Sequence, residues 1–251
     1  MAAIINVFIA FFATVITIQG ASINNRIVGG QPAAPGQFKY IASLRQISTD
    51  RHFCGAVIIS PKHLITCAQC RHPIEQIEVL VGVTKQDDPN GQRHLIESFP
   101  IHENFNSATG MNDIAVITIK TEITFNDVTQ PIQLPKHRVV DKERLSAAGW
   151  GHTSYPDGAS ANDLQWMQMN VVSPEECHEL TGYPVGGQIC TLESKGHGMC
   201  RADSGSPLIH TIDGVDEVVG LGSSVFLCAQ GKPDFFTDVY FFKYWILNHS
   251  D

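Results

Sequence analysis

Cys200-Arg201-Ala202-Asp203-Ser204-Gly205-Ser206-Pro207-Leu208 is the stretch on which the reading of this chain turns. Taken alone it is weak, because Asp-Ser-Gly occurs by chance in many loops. Two distant segments give it weight. Arg26-Ile27-Val28-Gly29-Gly30 lies near the start, and Asn112-Asp113-Ile114-Ala115-Val116 opens an apolar run in mid-chain. The order and spacing of the three are far more specific than any one of them.

Around these segments the chain reads as short strands. His52 to Ser60, Ile77 to Val83, Asp113 to Lys120, Leu164 to Val172 and Ser206 to Ile212 are β-branched or alternating runs. Asn90-Gly91, Asp157-Gly158 and Asp213-Gly214 are turn signals, and the last predicts a tight hairpin between LIHTI and VDEVVGL. Strands at this spacing predict a barrel or sandwich rather than a parallel α/β sheet. Only two segments read as helix. Ser173-Pro174-Glu175-Glu176 combines an N-cap serine, a first-turn proline and a capping-box glutamate. Val239 to Leu247 places Val239, Phe242 and Ile246 on one face. The proline-containing stretch from Thr129 to Lys136 is the candidate linker between two halves.

The chain has 251 residues, 43% of them hydrophobic, and a formal net charge of −8. That length suits one large all-β protein or two small domains. The acidic balance and the lack of a basic run argue against nucleic acid and heparin, leaving proteins as the expected partners. Residues 1–20 carry no charged side chain and read as a cleaved secretory signal rather than a membrane anchor, and no later segment is apolar enough to span a bilayer. Secretion would place the seven cysteines in an oxidising compartment, with three pairs and one left over.

Ala148-Gly149-Trp150-Gly151 extends the pattern, as do Ile189-Cys190-Thr191-Leu192 and Cys228-Ala229-Gln230-Gly231-Lys232-Pro233-Asp234. From Ile27 to Asp251 the sequence resembles the chymotrypsin-like serine proteases, insect chymotrypsins in particular. The resemblance implies an all-β fold of two antiparallel six-stranded barrels with a C-terminal helix and an active site in the cleft between them. It divides the chain into a signal peptide (1–20), a short activation peptide (21–26), an N-terminal barrel (27–133) and a C-terminal barrel with its helix (134–251). It also implies disulfides Cys54–Cys70, Cys177–Cys190 and Cys200–Cys228.

In that family a serine hydroxyl attacks a carbonyl carbon, an imidazole takes and returns the proton, and a buried carboxylate orients the imidazole. Ser204 matches the nucleophile and Asp113 the carboxylate. The histidine belongs in Thr-Ala-Ala-His-Cys, but the segment here reads Thr66-Cys67-Ala68-Gln69-Cys70. An amide neither accepts nor returns a proton near neutral pH, so Ser204 is expected to keep the reactivity of an ordinary alcohol. Loss of the base from such a triad costs about 10⁶ in turnover. His63 and His72 are read as ordinary histidines, unable to reach Ser204 in the register that Cys70 fixes. A histidine supplied by a substrate stays open as an alternative base.

Other positions in the cleft depart from the family as well. Ala202 replaces a glycine that, with Ser204, supplies the oxyanion N–H donors, and a Cβ there is expected to oppose the backbone angles those donors need. Ser206 replaces another glycine. Ser223-Ser224-Val225 stands where the family has Ser-Trp-Gly, so Val225 is expected to narrow the primary pocket and Ser224 removes the apolar wall of its neighbour. Gly198 and Met199 match the pocket floor, and Asp234 matches a pocket aspartate of insect chymotrypsins, with a surface turn as its plain alternative.

Arg26 and Ile27 keep the family's activation pattern. Cleavage after Arg26 by another protease would free an amine that, in relatives, buries against the carboxylate matching Asp203 and orders the binding loops. Cys67 could be drawn into a zinc or redox site with His52, Cys54 and His72, but a buried free thiol fits the expected disulfides better. Asp87, Asp88 and Asn90 read as an exposed acidic turn rather than a calcium loop. No cofactor or metal is expected. The sequence reads as a secreted, non-catalytic serine protease homologue that binds active proteases, protease inhibitors or other secreted proteins. The alternatives are a weakly active chymotrypsin-like endopeptidase and a carbohydrate- or surface-binding module on the same frame.

Overall fold

The computed structural model describes residues 27–183, 185–225 and 227–250. The expected signal and activation peptides lie outside the described residues, as does the side chain of Val225.

Gln31–Pro32 forms a two-residue strand, β1. Six strands follow: Ile41–Gln46 (β2), Arg51–Ile58 (β3), His63–Thr66 (β4), Ile77–Val81 (β5), Gln92–Ser98 (β6) and Ala115–Ile119 (β7). They close into a barrel in the order β2-β3-β4-β7-β6-β5, sealed by pairing of β5 with β2. Leu44, Ile58, Leu64, Ile65, Leu80, Ile96 and Ile117 are all but fully buried on the two faces of its strands. These β-branched and leucine side chains suit the pleated, half-buried surface that a closed sheet offers.

The second barrel takes Arg144–Gly149 (β8), Gln165–Val172 (β9), Gln188–Thr191 (β10), Pro207–Ile212 (β11), Val215–Val225 (β12) and Asp234–Asp238 (β13). Its order is β9-β10-β13-β12-β11-β8, and the β8–β9 pairing closes the ring. The architecture is therefore two closed six-stranded antiparallel barrels, as the sequence suggested. β1 is an addition to that scheme. Although early in the chain, it pairs with β9 outside the second ring, and Ile27 is fully buried in that barrel's core beside Met199, Leu208 and Phe236.

Two helices complete the body. Pro174–Thr181 (α1) starts at Ser173, whose hydroxyl accepts from the N–H of Glu176 at 3.1 Å, and ends at Gly182 in the left-handed conformation. Val239–Asn248 (α2) buries Val239, Phe242 and Ile246, and Asp238 caps it by accepting from Phe241 N–H at 3.1 Å. Asp213 and Gly214 have φ of 51° and 78° and turn the chain between the paired residues Ile212 and Val215. Two consecutive positive φ values are what a type I′ hairpin requires. Disulfides join Cys54 to Cys70, Cys177 to Cys190 and Cys200 to Cys228. Between the barrels, Ile132 N–H donates to Ile58 O and Gln133 bridges Glu217, so the segment from Thr129 to Lys136 crosses from one ring to the other.

Candidate functional site

The cleft between the barrels gathers residues from four places. β4 ends at Thr66, and a single 3-10 turn, Ala68–Cys70, carries Gln69 out to an exposed position. The disulfide from Cys70 to Cys54 on β3 pins that turn to the barrel. Asp113 sits just before β7 and is 1% exposed. Thr237 on β13 donates to its backbone carbonyl at 2.7 Å, which ties the carboxylate's position to both barrels.

The Asp113 carboxylate is surrounded by donors. Oδ1 accepts from the backbone N–H of Gln69 at 2.9 Å. Oδ2 accepts from the Gln69 side-chain amide and from Ser223 Oγ, both at 2.6 Å. Burial pushes its pKa up, and the bonds from Ser223 and Gln69 pull it back. The Gln69 amide also donates from Nε2 to Ser223 O at 2.5 Å, so both its N–H groups are committed. Gln69 thus holds the orienting contact that an imidazole N–H would make to a carboxylate. What it lacks is a second, basic nitrogen. Its remaining atom, Oε1, is an amide oxygen that accepts hydrogen bonds but takes no proton near neutral pH.

On the facing wall Ser204 is half-buried at the tip of the Cys200–Ser206 loop. Backbone bonds fasten the loop. Gly55 N–H donates to Ser204 O at 2.8 Å, Gly205 N–H to Gly222 O at 2.7 Å, and Gly222 N–H to Ser206 O at 2.8 Å. Gly205 has φ of 77°, and a Cβ there would run into Thr66 Oγ1 and Gly55 O. Among the described residues the N–H groups of Ala202 and Ser204 donate to no protein acceptor, and Ser204 Oγ has no partner. This leaves two unspent donors next to a hydroxyl, the arrangement that receives a carbonyl oxygen.

Ala202 departs from expectation. Its φ is 68°, so alanine does adopt the left-handed conformation that favours glycine, at a cost of about 1 kcal/mol. His52, a residue the sequence reading placed only in a discarded zinc sketch, explains how. Its ring is buried, with Nδ1 at 2.8 Å from Ser43 Oγ and Nε2 at 3.0 Å from Ala202 O. A carbonyl can only accept, so Nε2 carries the hydrogen and Nδ1 accepts from the Ser43 hydroxyl. Burial holds this histidine neutral, with its pKa lowered to about 4. His52 is a positioning residue, and it fixes the alanine carbonyl and hence the peptide plane of the loop.

The other histidines are engaged elsewhere. His72 packs its ring at 4.6 Å from that of Phe53, and His63 bonds Ser60 Oγ at 2.9 Å. Ser206 is fully buried and its hydroxyl finds no partner among the described residues. Gly55 and Gly149 make room for it, since a Cβ on either would fall against its Oγ.

The expected pocket residues do not all line the same space. A cavity of about 260 Å³ is bordered by Met199, Ser204, Gly222, Ser223 and Phe235. Asp234 is not on its wall. It is 5% exposed and caps the floor from behind, accepting from Met199 N–H at 2.8 Å and lying so close to Gly198 that a side chain there would collide with it. This replaces the surface-turn alternative with a buried carboxyl, whose pKa is raised to about 8 by burial and then by the charge of Asp203. Ser223 borders this cavity, and its hydroxyl donates to Asp113. Val225 pairs with Asp234 through the backbone at the end of β12, and the expectation that it narrows the pocket concerns a side chain outside the description.

A larger cavity, about 420 Å³, opens on the other side of Gln69 between Phe105, Tyr183 and Ser224, with Asp113 in its wall. The sequence reading noted the lost apolar wall at Ser224 but not this opening.

Asp203 is 1% exposed and accepts from Gly151 N–H at 2.8 Å and Cys200 N–H at 3.0 Å. Burial raises its pKa to about 7 against those two donors. No ion pair among the described residues reaches it. Cys67 is a buried thiol that donates to Gly222 O at 3.0 Å, and burial and the charge of Asp113 keep its pKa well above the usual value. With Cys54 and Cys70 joined to each other, the sketched zinc set loses its thiolates. The acidic turn is held by asparagines, Asn90 on Asp88 and Asn162 on Asp87.

Two barrels, a serine loop with unspent N–H donors and a buried aspartate across the cleft define the serine-hydrolase class of double-barrel proteins, here with an amide in the base's place. The chain belongs to the trypsin family, whose description, Trypsin, matches residues 27–246. It is 32% identical to Chymotrypsin-2 of Vespa crabro over 88% of this chain and 98% of that protein. Brachyurin of Leptuca pugilator is 31% identical over 88% of this chain and 96% of its own length. Glucanase inhibitor protein 3 of Phytophthora infestans is also 31% identical, over 88% of this chain and 86% of its own length.

Proposed function

We propose that this chain is an extracellular, non-catalytic member of its family that works by binding another protein, an active protease, a protease inhibitor or another secreted protein. The observation that carries this reading is the Gln69 amide, whose two N–H groups are spent on Asp113 Oδ2 and Ser223 O. Without a group that takes a proton from Ser204, attack on a carbonyl is left to an unactivated alcohol. Three disulfides fit an oxidising, extracellular setting. A relative named as an inhibitor of a glucanase gives the binding role a precedent on this frame.

Clipping after Arg26 by a second protease is part of the proposal. Ile27 is buried and Val28 bridges Gly198, five positions from an Asp203 that no described cation balances. A freed amine at Ile27 would supply that missing charge and fix the binding loops. A mature N-terminus other than Ile27 removes this step.

One observation favours a second reading, a weak endopeptidase: Ser204 and the two unspent N–H groups would still cradle a carbonyl. A fluorophosphonate probe separates the two. The binding reading expects Ser204 to stay unlabelled under conditions that label an active relative. Labelling that Ser204→Ala abolishes would favour the enzyme.

A further inference from the structure

We infer that the cavity beside Gln69 receives a basic side chain, lysine or arginine, from the bound protein, with Gln69 as the residue that selects it. This rests on the binding role proposed above and names the chemistry of the partner's contact.

The first argument is charge. Among the residues lining the 420 Å³ cavity, Asp113 alone carries a charge at neutral pH, and no lysine or arginine is present. Among the described residues every group that touches the Asp113 carboxylate is a neutral donor, so none of them balances its charge. The negative potential therefore extends into the opening. The chain's formal net charge of −8 acts in the same sense. Arg201 borders the smaller cavity, not this one.

The second argument is the amide. With both N–H groups turned onto Asp113 and Ser223, Oε1 is the one polar atom of Gln69 left over, and no protein donor reaches it among the described residues. Donation to a carboxylate polarises the amide and strengthens that oxygen as an acceptor. Gln69 is exposed and borders both cavities, so this acceptor belongs to a residue at their shared edge. An acceptor backed by an anion suits an ammonium or guanidinium group and disfavours a carboxylate.

The third argument is the lining. Phe105, Tyr183 and Phe235 contribute rings, and Ser107, Thr109 and Ser224 contribute hydroxyls. Aromatic faces attract cations, and hydroxyl oxygens accept from the remaining N–H groups. Ser224 is decisive for access. A bulky residue at that exposed position would fill the opening.

The test uses the disulfide-bonded chain and two small probes, N-acetyl-arginine amide and its neutral isostere N-acetyl-citrulline amide, titrated by NMR. The arginine probe should bind about tenfold more tightly, a preference that shrinks with salt. Ser224→Trp, which fills the cavity and leaves Gln69 and Asp113 in place, should reduce the preference to about one, as should Gln69→Met. Equal affinities for the two probes overturn the inference. So does a preference that persists in Ser224→Trp, which would move the cation to another site. Hydrolysis of a peptide ester by the chain with the preference intact would instead sink the non-catalytic reading and leave the cavity's assignment standing.

Discussion

On the wall built by the second barrel, Ser204 stands on a loop tied at Gly205, Ser206 and Gly222, with two N–H donors free beside it. On the wall built by the first barrel, Asp113 is equally well held, but the residue between it and the serine is an amide. On the proposed reading, the C-terminal half keeps a place to hold a carbonyl group. The N-terminal half presents an amide, which takes no proton near neutral pH, beside Asp113. The proposed function therefore separates binding from chemistry in this cleft, because oxyanion donors act through fixed geometry whereas a base acts through its pKa.

The sharpest way to break this contrast is Gln69→His. If the serine wall is intact, ester hydrolysis (kcat/KM) should rise by about 10² to 10⁴-fold, the range a positioned general base supplies, and the gain should vanish in the Ser204→Ala background. No gain would mean that the Ala202 wall is defective too.

The pH dependence of stability sharpens the comparison next. Asp203 and Asp234 have pKa values raised to about 7 and about 8, so the folded chain holds protons that the unfolded chain has released. Unfolding therefore loses protons, and stability falls as pH rises through this window, by up to about 1.4 kcal/mol per pH unit for each proton. His52, lowered to about 4, acts in the opposite sense. Its contribution is complete above its unfolded pKa and is lost as pH falls toward 4. Between about pH 6.5 and 8 only the carboxyls should count. Urea midpoints should fall across that range for the uncleaved chain, and fall less once the Ile27 amine is free to pair with Asp203.

Ser206→Ala removes a buried hydroxyl that has no partner among the described residues and should stabilise the chain by about 1 to 2 kcal/mol in urea unfolding. Ala202→Gly should add a smaller gain, about 0.5 kcal/mol. Relief of the 68° φ exceeds the extra freedom that glycine brings to the unfolded chain. A loss of stability in either variant would place the strain of the serine loop elsewhere.

Much of this was legible in the residues. Alternation and turn dipeptides locate five strands, β3, β5, β7, β9 and β11, to within two residues, and the Asp213-Gly214 hairpin and the Ser173 cap form as their local chemistry dictates. Gln69 was legible because Cys70 fixes its register. The features that were not legible depend on contacts between distant segments. Nothing near His52 announces a bond to Ala202 O, 150 positions away, and without that bond an alanine at positive φ reads as a defect. Asp234 reads as a pocket aspartate with a surface turn as alternative, and only the bond from Met199 N–H shows it buried behind the floor. The opening beside Gln69 exists only where Phe105, Tyr183 and Ser224 meet, three residues with no local pattern in common.

The most direct measurement is hydrolysis of a small peptide ester by the purified chain, clipped and unclipped, alongside its Ser204→Ala variant. With Gln69 in the base's place, the two proteins should turn over the ester at the same background rate. A rate in the wild-type chain that disappears when Ser204 becomes alanine would contradict the account.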